Sequence, residues 1–325
     1  MNPASARTTD VALDRIAARL GARARRRAPL APMCTYRVGG PAGVLVEAER
    51  TDDLIDLSAA LADDPGPAVP TLVVGRGSNL LVADRGFPGV VVHLGGGFDR
   101  IDPARDRGGD PTGVVVLGAA VSLPVAARRL AADGVVEFEW AVGVPGSVGG
   151  AVRMNAGGHG SDMAASVRSA ELFDLTAGKV TTAGSDDLAF GYRTSSVSPS
   201  TVVVSAVLDL AVGDPDQARD RVSEIVAWRR RHQPGGQNAG SVFTNPPGDS
   251  AGRLIDAAGL KGFRLGTAEV STKHANFIQA DPGGSADDIH RLIAEVQRRV
   301  ADTFGIRLEC ENRLVGFEGT GTDDA

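Results

Sequence analysis

Three short stretches of the chain carry residues that could bind an anion or move a proton. Tyr192 and Arg193 stand together in FGYRTSS, and an arginine near a loop can grip a carboxylate or phosphate with two parallel hydrogen bonds. Ser241 follows a glycine in QNAGSVFTNP, close to Asn245, and a serine hydroxyl held by polar neighbours can deliver a proton. Glu311 lies in LECENRLVG, where alternation predicts a strand. Each signal is weak alone. Tyrosine–arginine pairs on a surface, serines in turns and solvent-facing acids show the same sequence pattern without having a function.

Two glycine-rich stretches suit the binding of phosphate. TLVVGRGSNLLV places a strand before Gly75–Asn79, whose small residues expose consecutive backbone N–H groups. This is not a GxGxxG dinucleotide fingerprint, because Leu80 replaces the third glycine and no clear helix follows. GVPGSVGGAVRMNAGG (143–158) contains six glycines in sixteen residues, a composition unsuited to a core element. We predict that the two stretches face each other across an extended ligand, with a pyrophosphate against bare backbone amides.

Composition excludes several function classes. The chain has 325 residues, a net charge of −6 and 4% aromatic residues, which argue against a nucleic-acid-binding surface. Its two cysteines exclude a disulfide framework and a cysteine-rich zinc site, and its five histidines lack metal-ligand spacing. No apolar run approaches the roughly 20 residues of a membrane span, and no apolar segment of a secretory signal is present. We therefore expect a cytoplasmic protein with no metal and with no nucleic-acid or membrane partner.

Strand-like runs alternate with helical patterns that would position these residues. A helix is predicted over Val11–Leu20, and the basic run Arg23–Arg27 is interpreted as its solvated end. The strongest helix is predicted to follow Ser285, with Asp288 completing a capping box and Gly305 ending the helix. The predicted strands cover residues 43–48, 71–75, 89–94, 113–120, 169–175 and 201–210.

The order of the motifs is more specific than any one of them. GRGSN, GVPGSVGGAVRMNAGG, FGYR, GSVFTNP, AGRLIDAAGLKGFRLGTAEVSTKHANFI and LECENRLVG follow one another in a single chain. From about Pro32 to Gly316, the chain closely resembles the UDP-N-acetylenolpyruvoylglucosamine reductase (UDP-N-acetylmuramate dehydrogenase) family of bacterial cell-wall precursor synthesis. Only 47 residues separate Arg193 from Ser241, and no tyrosine follows Tyr192. The chain therefore resembles the shorter subtype, which lacks an extra tyrosine loop.

This resemblance implies an α+β fold. The family has an FAD-binding module of the vanillyl-alcohol-oxidase (PCMH) type in two α+β subdomains, followed by a smaller C-terminal α+β substrate domain. On this chain we place an N-terminal helix at residues 1–28 and the FAD-binding domain at 29–212, with its subdomains split near residue 95. The substrate-binding domain is placed at 213–317, and a disordered tail at 318–325.

The resemblance also implies two cofactors, bound FAD without a covalent link and NADPH as the reductant. By motif match, the FAD-binding residues are Gly75, Arg76, Gly77, Ser78, Asn79, Leu80, Gly143, Val144, Pro145, Gly146, Ser147, Gly149, Gly150, Asn155 and Ala156.

The reaction implied is the reduction of the enolpyruvyl ether of UDP-N-acetylglucosamine-enolpyruvate to UDP-N-acetylmuramate. Hydride goes to C3 of the vinyl group and a proton to C2. By motif match, Arg193 and Glu311 stabilise the developing negative charge, and Ser241 is the proton donor. An anionic Glu311 would repel this charge, so we expect it to act protonated, or to orient a water molecule or Arg193. Tyr192, Asn245 and Arg231 are expected to bind the UDP-sugar substrate, and we expect a monomer.

Two other interpretations stay open. One is another flavoenzyme of the same fold that oxidises an alcohol or phenol, and many of those enzymes tether FAD through a histidine. Only His159 lies in the predicted flavin loops, outside a recognisable tethering motif. The other is a nucleotide-binding paralogue without catalytic activity, which the presence of all three candidate catalytic residues disfavours.

Overall fold

The computed structural model describes residues 3–66 and 68–317. Its α-helices are α1 (Pro3–Leu20), α2 (Thr51–Ala62), α3 (Leu123–Ala132), α4 (Val148–Arg153), α5 (Pro215–His232), α6 (Ala251–Ala257) and α7 (Ala286–Phe304). Its β-strands are β1 (Ala24–Arg26), β2 (Ala42–Ala48), β3 (Thr71–Val73), β4 (Leu80–Val82), β5 (Phe87–Leu94), β6 (Ile101–Arg105), β7 (Pro111–Gly118), β8 (Val135–Val136), β9 (Gly157–Gly158), β10 (Ser161–Asp162), β11 (Val167–Asp174), β12 (Lys179–Gly184), β13 (Thr201–Asp209), β14 (Ala211–Val212), β15 (Arg264–Leu265), β16 (Ala268–Val270), β17 (Ile278–Ala280) and β18 (Arg313–Val315). The six predicted strand runs are confirmed as β2, β3, β5, β7, β11 and β13. Among the described helices, none has the length and apolar character needed to cross a membrane.

The chain forms two compact units that interleave in sequence. Unit 1 holds the residues up to Arg26, Val44–Arg76 and Gly89–Arg229. Unit 2 holds Arg27–Gly43, Gly77–Pro88 and the chain from Arg230 onward. The contiguous domains predicted from the sequence do not include this interleaving, because spacing along a chain does not reveal pairing between distant segments. The predicted tail at 318–325 lies outside the described residues.

The first layer of unit 1 is a sheet with the strand order β1-β2-β5-β3. β1 pairs antiparallel with β2, and β3 pairs parallel with β5. α1 and α2 bury Leu13, Ile16 and Leu54 in the core of this layer. The interpretation of the basic run as a solvated helix end is wrong, because part of the run forms β1, and Arg23 pairs with Asp53 at 2.7 Å.

The second layer of unit 1 is an antiparallel sheet with the order β12-β11-β13-β7-β6. Side chains of β13 alternate between the two faces of the sheet over residues 202–204, and a register shift against β11 at Val204 reverses this alternation in the residues that follow. Val202 and Val204 enter the core of the first layer, whereas Val203 and Ala206 pack in a second core with α3 and α4. β13 thus belongs to both cores of unit 1.

Unit 2 is built on α6, α7 and the antiparallel sheet β15-β16-β17. The predicted capping box is half right: Ser285 Oγ accepts from the N–H of Asp288 at 3.2 Å, but the Asp288 carboxylate accepts from Thr267 instead. Asp84 completes the cap, because its carboxylate accepts from the N–H of Ala286 at 2.9 Å. This cap and the parallel pairing of β18 with β4 join the early segment 77–88 to the C-terminal residues.

Candidate active site

One cavity of unit 1 is lined by residues of both sheets and of α4. Its volume is about 270 Å³, and its wall includes Gly75 and Arg76 after β3, Gly95 after β5, and Ser147 and Arg153 at the two ends of α4. Arg76 and Arg153 are thus two cationic residues of a wall that also has apolar parts. Apolar surface with a few charged groups is typical of a site for a large anionic cofactor.

Close packing within the protein accounts for part of the glycine content. A Cβ on Gly149 would lie 3.0 Å from that of Ala119, where α4 packs on the end of β7. A Cβ on Gly75 would clash with Ser147 Oγ. At Gly150, by contrast, the nearest atom to an added Cβ is Ser147 Oγ at 3.7 Å. Close packing within the protein therefore favours glycine at Gly75 and Gly149, whereas an added Cβ at Gly150 would make only an ordinary van der Waals contact.

The sequence predicts that backbone N–H groups of the glycine-rich stretch 143–158 are free to bind a pyrophosphate. This prediction is wrong at two positions. The N–H of Val148 donates to Val121 O, and the N–H of Gly149 donates to Ala119 O, each at 2.9 Å. These bonds fasten the start of α4 to the chain that follows β7. These two amides are therefore bonded within the protein, and Arg76 and Arg153 are cationic residues of the same wall.

Arg193 lies in a tight turn of unit 1. Gly191 and Thr194 form a bridge across the turn, and Arg193 has a φ of +58°, in the left-handed region. Its Nη2 donates to Gly157 O at 3.2 Å, and its guanidinium carbon lies 5.1 Å from the centre of the exposed Tyr192 ring. A strained backbone of this kind persists only where the surrounding structure holds it. The position of Arg193 is therefore specified by its neighbours.

Buried Asn155 ties this turn to the loop after α4. Its Nδ2 donates to Gly191 O at 2.9 Å and to Asp162 Oδ2 at 3.2 Å, and its Oδ1 accepts from the N–H of Ala164 at 2.9 Å. These bonds use both amide hydrogens and the carbonyl of the side chain. Asn155 thus holds the Arg193 turn, and its assignment to FAD stays a prediction.

In unit 2, Ser241 begins a short extended segment that runs antiparallel to the segment containing Glu311. The N–H of Glu311 donates to Val242 O at 2.7 Å, and the N–H of Thr244 donates to Glu309 O at 3.0 Å. Two of the three predicted catalytic residues therefore lie on directly paired backbones.

Two asparagines link the same segments through their side chains. The Nδ2 of buried Asn312 lies 3.3 Å from Ser241 O and 3.0 Å from Asn79 Oδ1. Asn79 in turn donates to Glu311 O at 3.1 Å. The Tyr36 hydroxyl donates to Asn312 Oδ1 at 3.3 Å, and burial raises the pKa of this hydroxyl, so it remains a donor. The backbones of Ser241 and Glu311 are thereby joined by a buried polar network.

His159 lines a second cavity of unit 1, of about 360 Å³, together with Trp140 and Arg221. Its ring makes an edge contact with Trp228 at 5.1 Å. Burial and the nearby cations Arg221 and Arg229 lower the pKa of His159. His159 is not among the described residues that line the first cavity.

Comparison with known proteins gives two family matches on this chain. Residues 42–184 match the FAD binding domain, and residues 232–315 match the C-terminal domain of UDP-N-acetylenolpyruvoylglucosamine reductase. The chain is 42% identical over 291 residues to the UDP-N-acetylenolpyruvoylglucosamine reductase of Paramagnetospirillum magneticum, covering 89% of this chain and 91% of that protein. The chain belongs to this family. A second reductase, from Heliobacterium modesticaldum, is 39% identical over 307 residues, covering 91% of this chain and 94% of that protein.

A solved structure supports the same assignment. The crystal structure of UDP-N-acetylenolpyruvylglucosamine reductase from Thermus caldophilus is 35% identical to the chain, with a TM-score of 0.76. The similarity covers 90% of this chain and 99% of that chain. The predicted family and the α+β fold with an FAD-binding module are thus confirmed.

The residues of the first cavity fit FAD. The match to the FAD binding domain includes β3, β5, β7 and α4, whose ends form much of the wall. Arg76 and Arg153 would hold the pyrophosphate, because one guanidinium group can donate two parallel hydrogen bonds to phosphate oxygens. Gly75 and Gly150 leave their side of the wall without side chains. FAD therefore has both a matching domain and a suitable cavity in this chain.

The predicted FAD-binding residues divide into three groups. Those that line the first cavity are Gly75, Arg76, Ser147, Gly149 and Gly150. Those of unit 1 outside that wall are Gly143, Val144, Pro145, Gly146, Asn155 and Ala156. Those of unit 2 are Gly77, Ser78, Asn79 and Leu80.

The residues predicted to bind the substrate are mostly exposed. Tyr192 is 65% exposed beside Arg193, and Arg231 is exposed near the end of α5. Asn245 has an assigned partner, since its Oδ1 accepts from the N–H of Ala251 at the start of α6. Their role toward the substrate stays a prediction.

Several residues of the cavity wall were missed from the sequence. They are His93, Gly95, Gly96, Asp99, Arg153 and Thr201. Two signals could have found part of this set: the glycine triplet directly after the predicted strand at 89–94, and the cation inside the second glycine-rich stretch.

Proposed function

We propose that this chain is a flavoenzyme that uses NADPH to reduce the enolpyruvyl ether of UDP-N-acetylglucosamine-enolpyruvate to UDP-N-acetylmuramate in peptidoglycan precursor synthesis. The observation that carries the proposal is similarity to this reductase family along about nine-tenths of the chain. The paired backbones of Ser241 and Glu311 and the held turn of Arg193 support it. FAD, which Arg76 and Arg153 would help to hold, would supply the transfer of a hydride from NADPH to C3 of the substrate's vinyl group.

Arg193 is the residue we assign to the negative charge that develops on C2 and the neighbouring carboxylate. Its guanidinium group is permanently charged and presents several donors in a plane, which suits a delocalised carboxylate or enolate. The turn already fixes its backbone, so less reorganisation is needed as the charge develops. Tyr192 would flank the substrate on the same turn.

Ser241 is the residue we assign to the proton that C2 receives. Hydride addition at C3 leaves the electron pair of the former double bond at C2, and the hydroxyl proton forms the new C–H bond there. The serine oxygen then regains a proton through its polar surroundings. A serine suffices because the carbon base is strong, even though its hydroxyl is a poor acid in water.

Glu311 is assigned to assist both steps in its protonated form, or by orienting a water molecule or Arg193. Its backbone N–H and carbonyl are bonded to Val242 and Asn79, so its side chain projects from a fixed point. Asn245 and Arg231 are assigned to the substrate, with the arginine facing the diphosphate. We further propose non-covalent FAD, a monomeric enzyme and a cytoplasmic location.

The test is an anaerobic visible spectrum of the purified protein during two additions. NADPH is added first in stoichiometric amount, and we expect it to bleach the flavin band. Enolpyruvyl-UDP-N-acetylglucosamine is added next, and we expect the band to return. Bleaching without recovery would contradict the substrate assignment, and absence of a flavin band after added FAD would contradict the flavoenzyme. Yellow colour that stays in an acid-precipitated pellet would favour a covalently flavinylated oxidase.

A further inference from the structure

The backbone after Ser241 is held by one distant residue, Asn276. The N–H of Val242 donates to the backbone carbonyl of Asn276 at 2.9 Å. The N–H of Phe243 donates to Asn276 Oδ1 at 2.9 Å, and Asn276 Nδ2 donates to Phe243 O at 2.8 Å. The amide side chain thus bonds both backbone groups of Phe243, as a neighbouring strand would.

The opposite edge of this segment is held by the chain that carries Glu311. Val242 O accepts from the N–H of Glu311 at 2.7 Å, and Phe243 forms an antiparallel bridge with Cys310. The Phe243 side chain is 1% exposed in the core of unit 2. The two residues that follow Ser241 are therefore fixed along both edges and through a buried ring.

Asn276 is itself well anchored. It is 4% exposed, and its backbone N–H donates to Nδ1 of His274 at 3.3 Å. Burial, with Lys261 nearby, lowers the pKa of His274, which keeps the ring neutral and able to accept this bond. A buried amide whose oxygen and nitrogen are both hydrogen-bonded is costly to disturb.

We propose that Asn276 is a positioning residue, which places Ser241 for delivery of its proton to C2 of the substrate. The Ser241 hydroxyl is the proposed proton donor. The position of its backbone, and so of its side chain, depends on the next two residues. Displacement of a reacting group by about 1 Å can slow a reaction by roughly 100-fold. The inference rests on the proposed role of Ser241.

The experiment measures the two half-reactions separately by anaerobic stopped-flow absorbance of the bound flavin. Asn276→Ala removes both side-chain bonds, and Asn276→Asp keeps the size but loses the donor to Phe243 O. Ser241→Ala is the reference, and Gln279→Ala is the matched control. Gln279 is another amide of unit 2 that donates to a backbone carbonyl, Gly235 O, at 2.9 Å.

We expect both Asn276 variants to slow reoxidation of the flavin by enolpyruvyl-UDP-N-acetylglucosamine by about tenfold or more, with reduction by NADPH changed by less than about twofold. Gln279→Ala should change neither step. The Asn276→Asp enzyme should regain speed as the pH falls, because its protonated acid can again donate to Phe243 O. The wild-type enzyme, measured over the same pH range, provides the baseline.

A second readout does not depend on turnover. Hydrogen exchange of the peptide covering residues 239–245 should accelerate in Asn276→Ala and stay unchanged in Gln279→Ala. In Asn276→Ala the N–H of Phe243 loses its acceptor, and the N–H of Val242 keeps an acceptor whose backbone is less firmly held.

The outcomes separate this inference from the proposed function. If Ser241→Ala leaves reoxidation fast, the role of Ser241 fails, and the positioning role fails with it. If Ser241→Ala slows reoxidation but the Asn276 variants do not, only the positioning role is overturned. If Asn276→Ala and Asn276→Asp slow both half-reactions equally, Asn276 supports the general structure and not Ser241.

Discussion

At the scale of single residues, the candidate site depends on asparagines as much as on charged groups. Arg193, Ser241 and Glu311 were assigned from the sequence because the order of the motifs that contain them resembles the family, and their catalytic roles stay predictions. Asn276 and Asn312 could not be picked, because a buried asparagine has no sequence signature apart from its partners. What identifies them is the set of backbone groups that they bond, which only the fold brings within reach.

Glu311→Gln tests whether the acid must carry a proton or a charge. If Glu311 acts as a neutral hydrogen-bond donor, the glutamine should retain reoxidation by the substrate within about tenfold, whereas Glu311→Ala should lose about 100-fold or more. The measurement is the flavin half-reaction with substrate, and reduction by NADPH is the internal control. Equal losses in both variants would show that a mobile proton or a negative charge is needed.

The two cysteines should resist thiol reagents in the native protein. Burial raises the pKa of the Cys34 thiol and of the Cys310 thiol from 9.0 to about 11. The thiolate is the reactive form, so alkylation by iodoacetamide at pH 8 should be slow until urea unfolds the chain. The stabilisation from keeping both thiols neutral is present below pH 9 and is lost as the pH rises towards 11. Rapid native labelling of either cysteine would contradict this burial.

At the scale of elements, turns store the strain that the helices and strands avoid. The sequence predicted six strands and the strongest helix, because hydrophobic periodicity and capping residues are local signals. It did not predict the left-handed backbone of Arg193 or Ala189, because neither residue type favours that conformation. Arg193 is held there by the turn itself, whereas Ala189 is exposed and gives a clean test.

Ala189→Gly should stabilise the protein. Ala189 has a φ of +43°, and the left-handed region costs an alanine roughly 1–2 kcal/mol. Glycine removes this cost, but it lowers the free energy of unfolding by about 0.5–1 kcal/mol because it gives the unfolded chain more entropy. We therefore expect the free energy of unfolding in urea to rise by about 0.5–1 kcal/mol. The matched control is Ala177→Gly, at an exposed turn alanine without a positive φ, which should be neutral or destabilising. A loss of stability in Ala189→Gly would contradict the assigned backbone.

At the scale of the whole molecule, the order of motifs predicted the family, the cofactor and the fold class. The division into units could not be predicted, because it depends on contacts such as the pairing of β18 with β4 and the cap that Asp84 places on α7. Neither contact leaves a local pattern in the sequence. The same division predicts which strands gain protection from hydrogen exchange when the cofactor binds.

Adding FAD to flavin-free protein should slow hydrogen exchange unevenly. The strands that contribute to the cavity wall, β3 and β13, should gain protection, because a ligand that binds only the folded state suppresses the openings that expose those amides. The strands β15–β17 of unit 2 are the internal reference and should change less. Mass spectrometry of peptic peptides measures both sets in one sample. Greater protection in β15–β17 than in β3 would contradict the cavity as the FAD site.

The interleaving of unit 2 has a consequence for how the protein is made. Segments 27–43 and 77–88 leave the ribosome well before the partners that complete their unit, α7 and β18, have been synthesised. A nascent chain arrested before residue 313 would present β4 without its partner strand and Asp84 without the helix end that it caps. The emergence of α7 and β18, and not the emergence of the two earlier segments, should therefore set the time at which unit 2 becomes resistant to protease.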